Sequence, residues 1–133
     1  MGIVETTTKV LIVDDEPLIR NSLFRGLAGR AIVKAVTSDE EALEEIGAYF
    51  YDLCLIDFFL TGMDGLDTMR KINEISPETK VAIMTGSYLT DDMKQQVNTG
   101  AFDFLEKPFS ISRLRGLLQK LIIISGDHPQ EAN

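Results

Sequence analysis

The chain has 133 residues with 44% hydrophobic and 26% charged composition, enough for one domain that buries about two thirds of its unfolded surface. A net charge of −8 argues against direct binding to nucleic acid, which needs a basic footprint, and offers nothing to anionic lipid. No apolar stretch reaches the roughly 18 residues of a membrane span, and the first residues lack a signal-peptide pattern, so a cytoplasmic protein with no membrane partner is expected.

Short apolar runs recur along the chain at Val10–Val13, Ala31–Val36, Leu53–Ile56, Val81–Met84 and Ala101–Leu105. Several are apolar on both faces, as strands of a parallel sheet covered by helices must be. Helical stripes alternate with them. Ile19, Leu23 and Leu27 make the first, and Ala42 with Ile46 the second. Leu66, Met69 and Ile72 make the third, and Leu89, Met93 and Val97 the fourth. Ile111, Leu114, Leu118 and Leu121 make the fifth, whose end carries a further apolar crowd of Leu117, Ile122, Ile123 and Ile124. Ser38-Asp39-Glu40-Glu41 reads as a capping box, Asp64 and Ser110 as helix caps, and Pro77 as the break before the fourth strand.

Strand and helix alternating five times predict an α/β fold: a doubly wound five-stranded parallel sheet of flavodoxin-like order 2-1-3-4-5, with helices on both faces. Residues 1–7 read as an N-terminal tail, 8–124 as the folded domain, and 125–133 as a C-terminal tail or truncated linker. The lone Cys54 lies inside an apolar strand and reads as a small buried hydrophobe.

Four strand ends each deliver a polar group: Asp14 and Asp15, Asp57, Thr85, and Lys107. Taken singly each has an ordinary explanation, since acids after strands often cap helices and a lysine before proline is usually a surface residue. Together they fall at the same end of one parallel sheet. Carboxylates about 5 Å apart repel by about 3 kcal/mol per pair at an effective dielectric of 20, so the cluster is unfavourable unless protonated or neutralised by a cation. All-oxygen ligands point to Mg²⁺. Asp57, on the central strand, is the best nucleophile for a phosphoryl group, with Lys107 supplying a point charge and Thr85 a hydroxyl.

The stretches Val13-Asp14-Asp15-Glu16, Asp57-Phe58-Phe59-Leu60-Thr61-Gly62-Met63-Asp64-Gly65, Met84-Thr85-Gly86 and Gly100 to Phe109 resemble the response-regulator receiver domain of bacterial two-component signalling, the CheY-like family, over about residues 8–124. The resemblance implies a signalling switch and phosphoprotein, not a turnover enzyme, that catalyses its own Mg²⁺-dependent phosphorylation and dephosphorylation. Asp57 would be the phosphoacceptor, charged by a sensor histidine kinase or phosphotransfer protein. Asp15, Asp57 and the backbone carbonyl of Phe59 would bind Mg²⁺ directly, and Asp14 through water. Lys107 would pair with the phosphate, with Thr85 and Phe104 as switch residues. Lys107-Pro108 resembles the family's cis peptide. Output would pass to an attached domain or a downstream protein, or to a homodimer through the fourth helix, fifth strand and fifth helix.

Three departures stand out: Thr61 in place of the usual proline, Phe104 in place of the commoner tyrosine, and a bulky Phe59 that cannot orient water, which implies slow loss of the phosphoryl group. Two other readings compete with the switch. One is a small phosphatase with an aspartyl nucleophile at Asp14, disfavoured because Asp14 and Asp15 are adjacent and no cap domain is evident. The other is a phosphate-independent scaffold, disfavoured because every site position is filled.

Overall fold

The computed structural model describes residues 8–59, 65–86 and 100–127, together with 91, 94 and 95. Five parallel strands form one sheet in the order β2-β1-β3-β4-β5, the order expected from the sequence. They are β1 (Lys9–Val13), β2 (Ile32–Val36), β3 (Leu53–Asp57), β4 (Lys80–Thr85) and β5 (Asp103–Glu106). Among the described residues the helices with full bounds are α1 (Pro17–Leu27), α2 (Asp39–Ala48), α3 (Gly65–Ile75) and α4 (Ile111–Asp127), the last being the fifth of the predicted stripes. Asp91, Lys94 and Gln95 of the predicted fourth helix are described and helical, while its stripe of Leu89, Met93 and Val97 lies outside the described residues, as do Thr61 and Asp64.

Successive side chains on a strand point to opposite faces, and the buried strands divide accordingly. Leu11, Val13, Cys54, Ile56, Val81 and Ile83 face one core with Ala42 and Ile46 of α2 and Leu66, Met69 and Ile72 of α3. Val10, Ile12, Leu53, Leu55, Ala82 and Met84 face the other, with Leu23 and Leu27 of α1 and Leu114, Leu117, Leu118 and Leu121 of α4. Cys54 is fully buried, and that burial pushes its thiol far above the usual range. It packs as a hydrophobe.

The helix ends follow their sequence signals. Ser38 Oγ accepts the backbone N–H of Glu41 at 3.1 Å, and Ser110 Oγ that of Arg113 at 3.0 Å. The capping box is offset by one residue on its return arm, because Glu41 Oε1 accepts from the backbone N–H of Thr37 at 2.9 Å. Gly29, at φ 75°, occupies the left-handed region that turns the chain from α1 towards β2. On α4 the buried stripe takes Leu117 with the leucines, while Ile111, Ile122, Ile123 and Ile124 are exposed. The helix runs on through Asp127, three residues into the segment that reads as a tail.

Candidate functional site

Register brings the polar strand ends together. Val13 pairs with Ile56, so Asp14 and Asp57, the next residues, stand side by side across the crevice where strand order reverses. Asp57 pairs with Met84 and Thr85 with Glu106, which sets Thr85 and Lys107 along the same edge. The Lys107 N–H donates to the Thr85 carbonyl at 2.7 Å, and the Lys107-Pro108 peptide is cis.

Asp14 is fully buried and held on all sides. Its N–H donates to the Val36 carbonyl at 3.2 Å, and the Asp14 carbonyl accepts from Arg20 Nη1 at 3.0 Å. Its Oδ1 accepts the Glu16 N–H at 2.9 Å, and its Oδ2 accepts Lys107 Nζ at 3.0 Å. Both carboxylate oxygens are therefore engaged. Asp57, also buried, accepts the Phe59 N–H on Oδ1 at 3.2 Å and faces Lys107 Nζ from Oδ2 at 3.4 Å.

The loop beyond Asp57 depends on one close approach. Gly65 N–H donates to the Phe58 carbonyl at 2.7 Å, closing the loop onto the start of α3. A Cβ on Gly65 would lie 2.8 Å from Phe58 Cα and 3.0 Å from the Asp57 carbonyl oxygen, both rigid backbone atoms. Glycine is required there. Phe58 is buried and Phe59 is 49% exposed, their rings meeting edge to face at 4.7 Å between centroids.

Burial raises the Asp57 carboxyl above the usual carboxylate range; Lys107 opposes this and the Asp14 charge adds to it. For Lys107, burial alone would lower the ammonium, but its hydrogen bond to Asp14 and the charges of Asp14 and Asp57 lift it above its ordinary value. Lys107 stays charged at any physiological pH. Thr85 is buried at the end of β4, and Phe104, half-buried on β5, packs against the α2/α3 core.

Of the acids expected to ligate a cation, Asp14 and Asp57 converge, whereas Asp15 is exposed and stands outside the converging set. The third member is Glu16, which the sequence reading left without a role: ligand atoms of Asp14, Glu16 and Asp57 all lie within 4.8 Å of one another. One signal pointed to Glu16. It occupies the N-cap of α1 just before Pro17, where Ser, Thr, Asp or Asn is preferred, and it makes no capping bond. Three carboxylates against one ammonium leave two negative charges, and the donors are all oxygen. That set fits a hard divalent cation.

Comparison with known proteins identifies the family and the fold. Residues 10–119 match the family model of the response regulator receiver domain. The chain is 37% identical over 125 residues to the response regulator protein PilR of Pseudomonas aeruginosa, covering 93% of this chain and 28% of that protein. It is 35% identical over 115 residues to the two-component response regulator PhoP of the same organism, covering 86% of this chain and 51% of that one. The chain thus spans about half or less of the length of these relatives. A CheY-like receiver domain protein from Methanospirillum hungatei superposes with a TM-score of 0.80 at 28% identity, over 87% of this chain and 94% of that one. NtrX from Brucella abortus does so at 0.83 and 26% identity, over 96% of this chain and 30% of that one. Among the described residues no helix is long and apolar enough to cross a membrane. On its sequence match, its sheet order and its converging acids, the chain belongs to the receiver domain family of the response regulators.

Proposed function

We propose that the chain is a phosphorylation-activated switch in which Asp57 accepts a phosphoryl group from a sensor histidine kinase or phosphotransfer protein. The observation that carries this reading is Lys107 Nζ lying 3.4 Å from Asp57 Oδ2 at the end of the central strand, beside the buried Asp14. An Asp57 oxygen attacks phosphorus, the bond from phosphorus to the donor nitrogen breaks, and the donor leaves with that electron pair. Lys107 then transfers its hydrogen bonds from the carboxylates to the phosphoryl oxygens. Thr85, at the end of β4, would give its hydroxyl to the same group.

Mg²⁺, when bound, supplies positive charge to the phosphoryl oxygens. Asp57 and the Phe59 carbonyl would hold it directly, joined by Asp15 once its exposed carboxylate turns towards them; Asp14, whose two oxygens already accept, would act through water. Phe104 would follow Thr85 inward and reshape the surface formed with β5 and α4. Exposed Ile122, Ile123 and Ile124 belong to that helix and favour an output partner or a homodimer there. Relatives described as transcriptional regulators favour an attached DNA-binding output.

Incubation with acetyl phosphate and Mg²⁺ should give one phosphoryl group per chain by intact mass, lost in Asp57→Asn and lost on chelation. Multiple turnover dependent on Asp14 would instead mark a small phosphatase, and no adduct a phosphate-independent scaffold.

A further inference from the structure

Resting on that reading, we propose that Glu16 is a positioning residue: it holds the Lys107 ammonium at rest, and its charge sets how readily the site takes phosphoryl donor and cation. Lys107 Nζ lies 3.0 Å from Asp14 Oδ2, 3.2 Å from Glu16 Oε1 and 3.4 Å from Asp57 Oδ2. Glu16 is thus nearer to the lysine than the phosphoacceptor is. The three carboxylates differ in what it costs to release them. Asp14 and Asp57 are buried, so withdrawing the lysine leaves them with an uncompensated charge. The Glu16 side chain is 59% exposed and returns to water at little cost. It is the contact that yields first.

Local backbone geometry directs the side chain there. Pro17 opens α1, and the Glu16 N–H is taken by Asp14 Oδ1, so the residue is fixed at the N-cap without capping the helix. Its carboxylate reaches Lys107 across 91 residues of sequence. There it opposes an incoming dianion in two ways, by keeping the ammonium and by adding negative charge to the pocket.

The test compares wild type with Glu16→Gln, which keeps the shape and removes the charge. For a divalent ion roughly 6 Å away in water at physiological salt, one charge is worth a factor of about three. The acetyl phosphate concentration at half-saturation should therefore fall about threefold in the variant, while the Mg²⁺ dissociation constant, read by thermal shift without donor, rises about threefold. Both gaps should close at high salt. The Lys107 ammonium, followed by nitrogen-15 NMR, should exchange its protons faster in the variant. An unchanged ammonium exchange rate or an unchanged half-saturation overturns the role. If wild type takes no phosphoryl group, the reading of the previous subsection falls. The exchange and Mg²⁺ measurements need no donor and still judge Glu16: if either is unchanged, the role is overturned.

Discussion

At the scale of single residues, the site is a set of buried charges that the fold tolerates at a cost. Asp57 is the clearest case, since burial raises its carboxyl and the Asp14 charge raises it further. A carboxyl raised above its unfolded value of about 3.9 favours the folded state only while protonated, so its ionisation destabilises the fold as pH climbs through the folded value. Asp57→Asn removes that penalty. In chelator, the variant should be more stable than wild type at pH 7 by urea unfolding, with the difference vanishing below about pH 4. A variant less stable at neutral pH would mean that the Lys107 contact outweighs desolvation. Asp14, Asp57, Thr85 and Lys107 were legible because each closes an apolar run, and a parallel sheet carries such ends to one edge. Glu16 was legible only as an unusual N-cap before Pro17, not as a partner of the lysine. It follows two acids at a helix start, and only the lysine arriving from the far end of the domain gives it a partner.

Among the elements, β1, β3 and β4 could be read directly, because burial on both faces leaves little room for polar residues, whereas the edge strand β5 begins at Asp103, two residues later than its apolar run. The limits of α4 were harder. Its end has more apolar residues than one face can bury, and packing against α1 decided which stay covered. Gly26 shows how close that packing is: a Cβ there would meet Leu114 Cδ2 at 2.8 Å. Leu117 went inward, and Ile122 to Ile124 remained outside. The same helix is tied to β5 by charge. Arg113 Nη2 bonds Asp103 Oδ1 at 3.1 Å and the Phe104 carbonyl at 2.8 Å, and Lys120 reaches Asp103 Oδ2 at 3.4 Å. Burial alone would raise the Asp103 carboxyl, but Arg113, the Phe104 N–H and Lys120 together hold it below its usual value. A depressed carboxyl stabilises above its unfolded value and loses that contribution as pH falls through the folded one. Asp103→Asn should therefore lower stability at pH 7, and the two proteins should converge as the medium is acidified below about pH 4. A constant gap across that range would assign the loss to packing.

For the whole molecule, the sheet separates two apolar cores and carries the buried Asp14 and Asp57 at one rim, so the rim can be retuned without disturbing either core. The excess of acid over base, −8 overall, includes the two uncompensated charges where Asp14, Glu16 and Asp57 meet Lys107. A cation there should stabilise the entire domain. Mg²⁺ at ten times its dissociation constant should add about 1.4 kcal/mol by linkage, seen as a rise of a few degrees in Tm. Ca²⁺-free buffer and a chelator control keep the comparison clean, and a Tm indifferent to Mg²⁺ would count against the site.

Lys107 makes contact with three carboxylates through one ammonium. It has no spare capacity, so an anion that recruits it must leave at least one acid in want of positive charge. Filling the anion place therefore increases the appetite for a cation, and filling the cation place frees the lysine for an anion. Thermodynamic reciprocity makes the two enhancements equal. Whatever factor Mg²⁺ lends to a phosphoryl mimic such as beryllofluoride, the mimic must return to Mg²⁺.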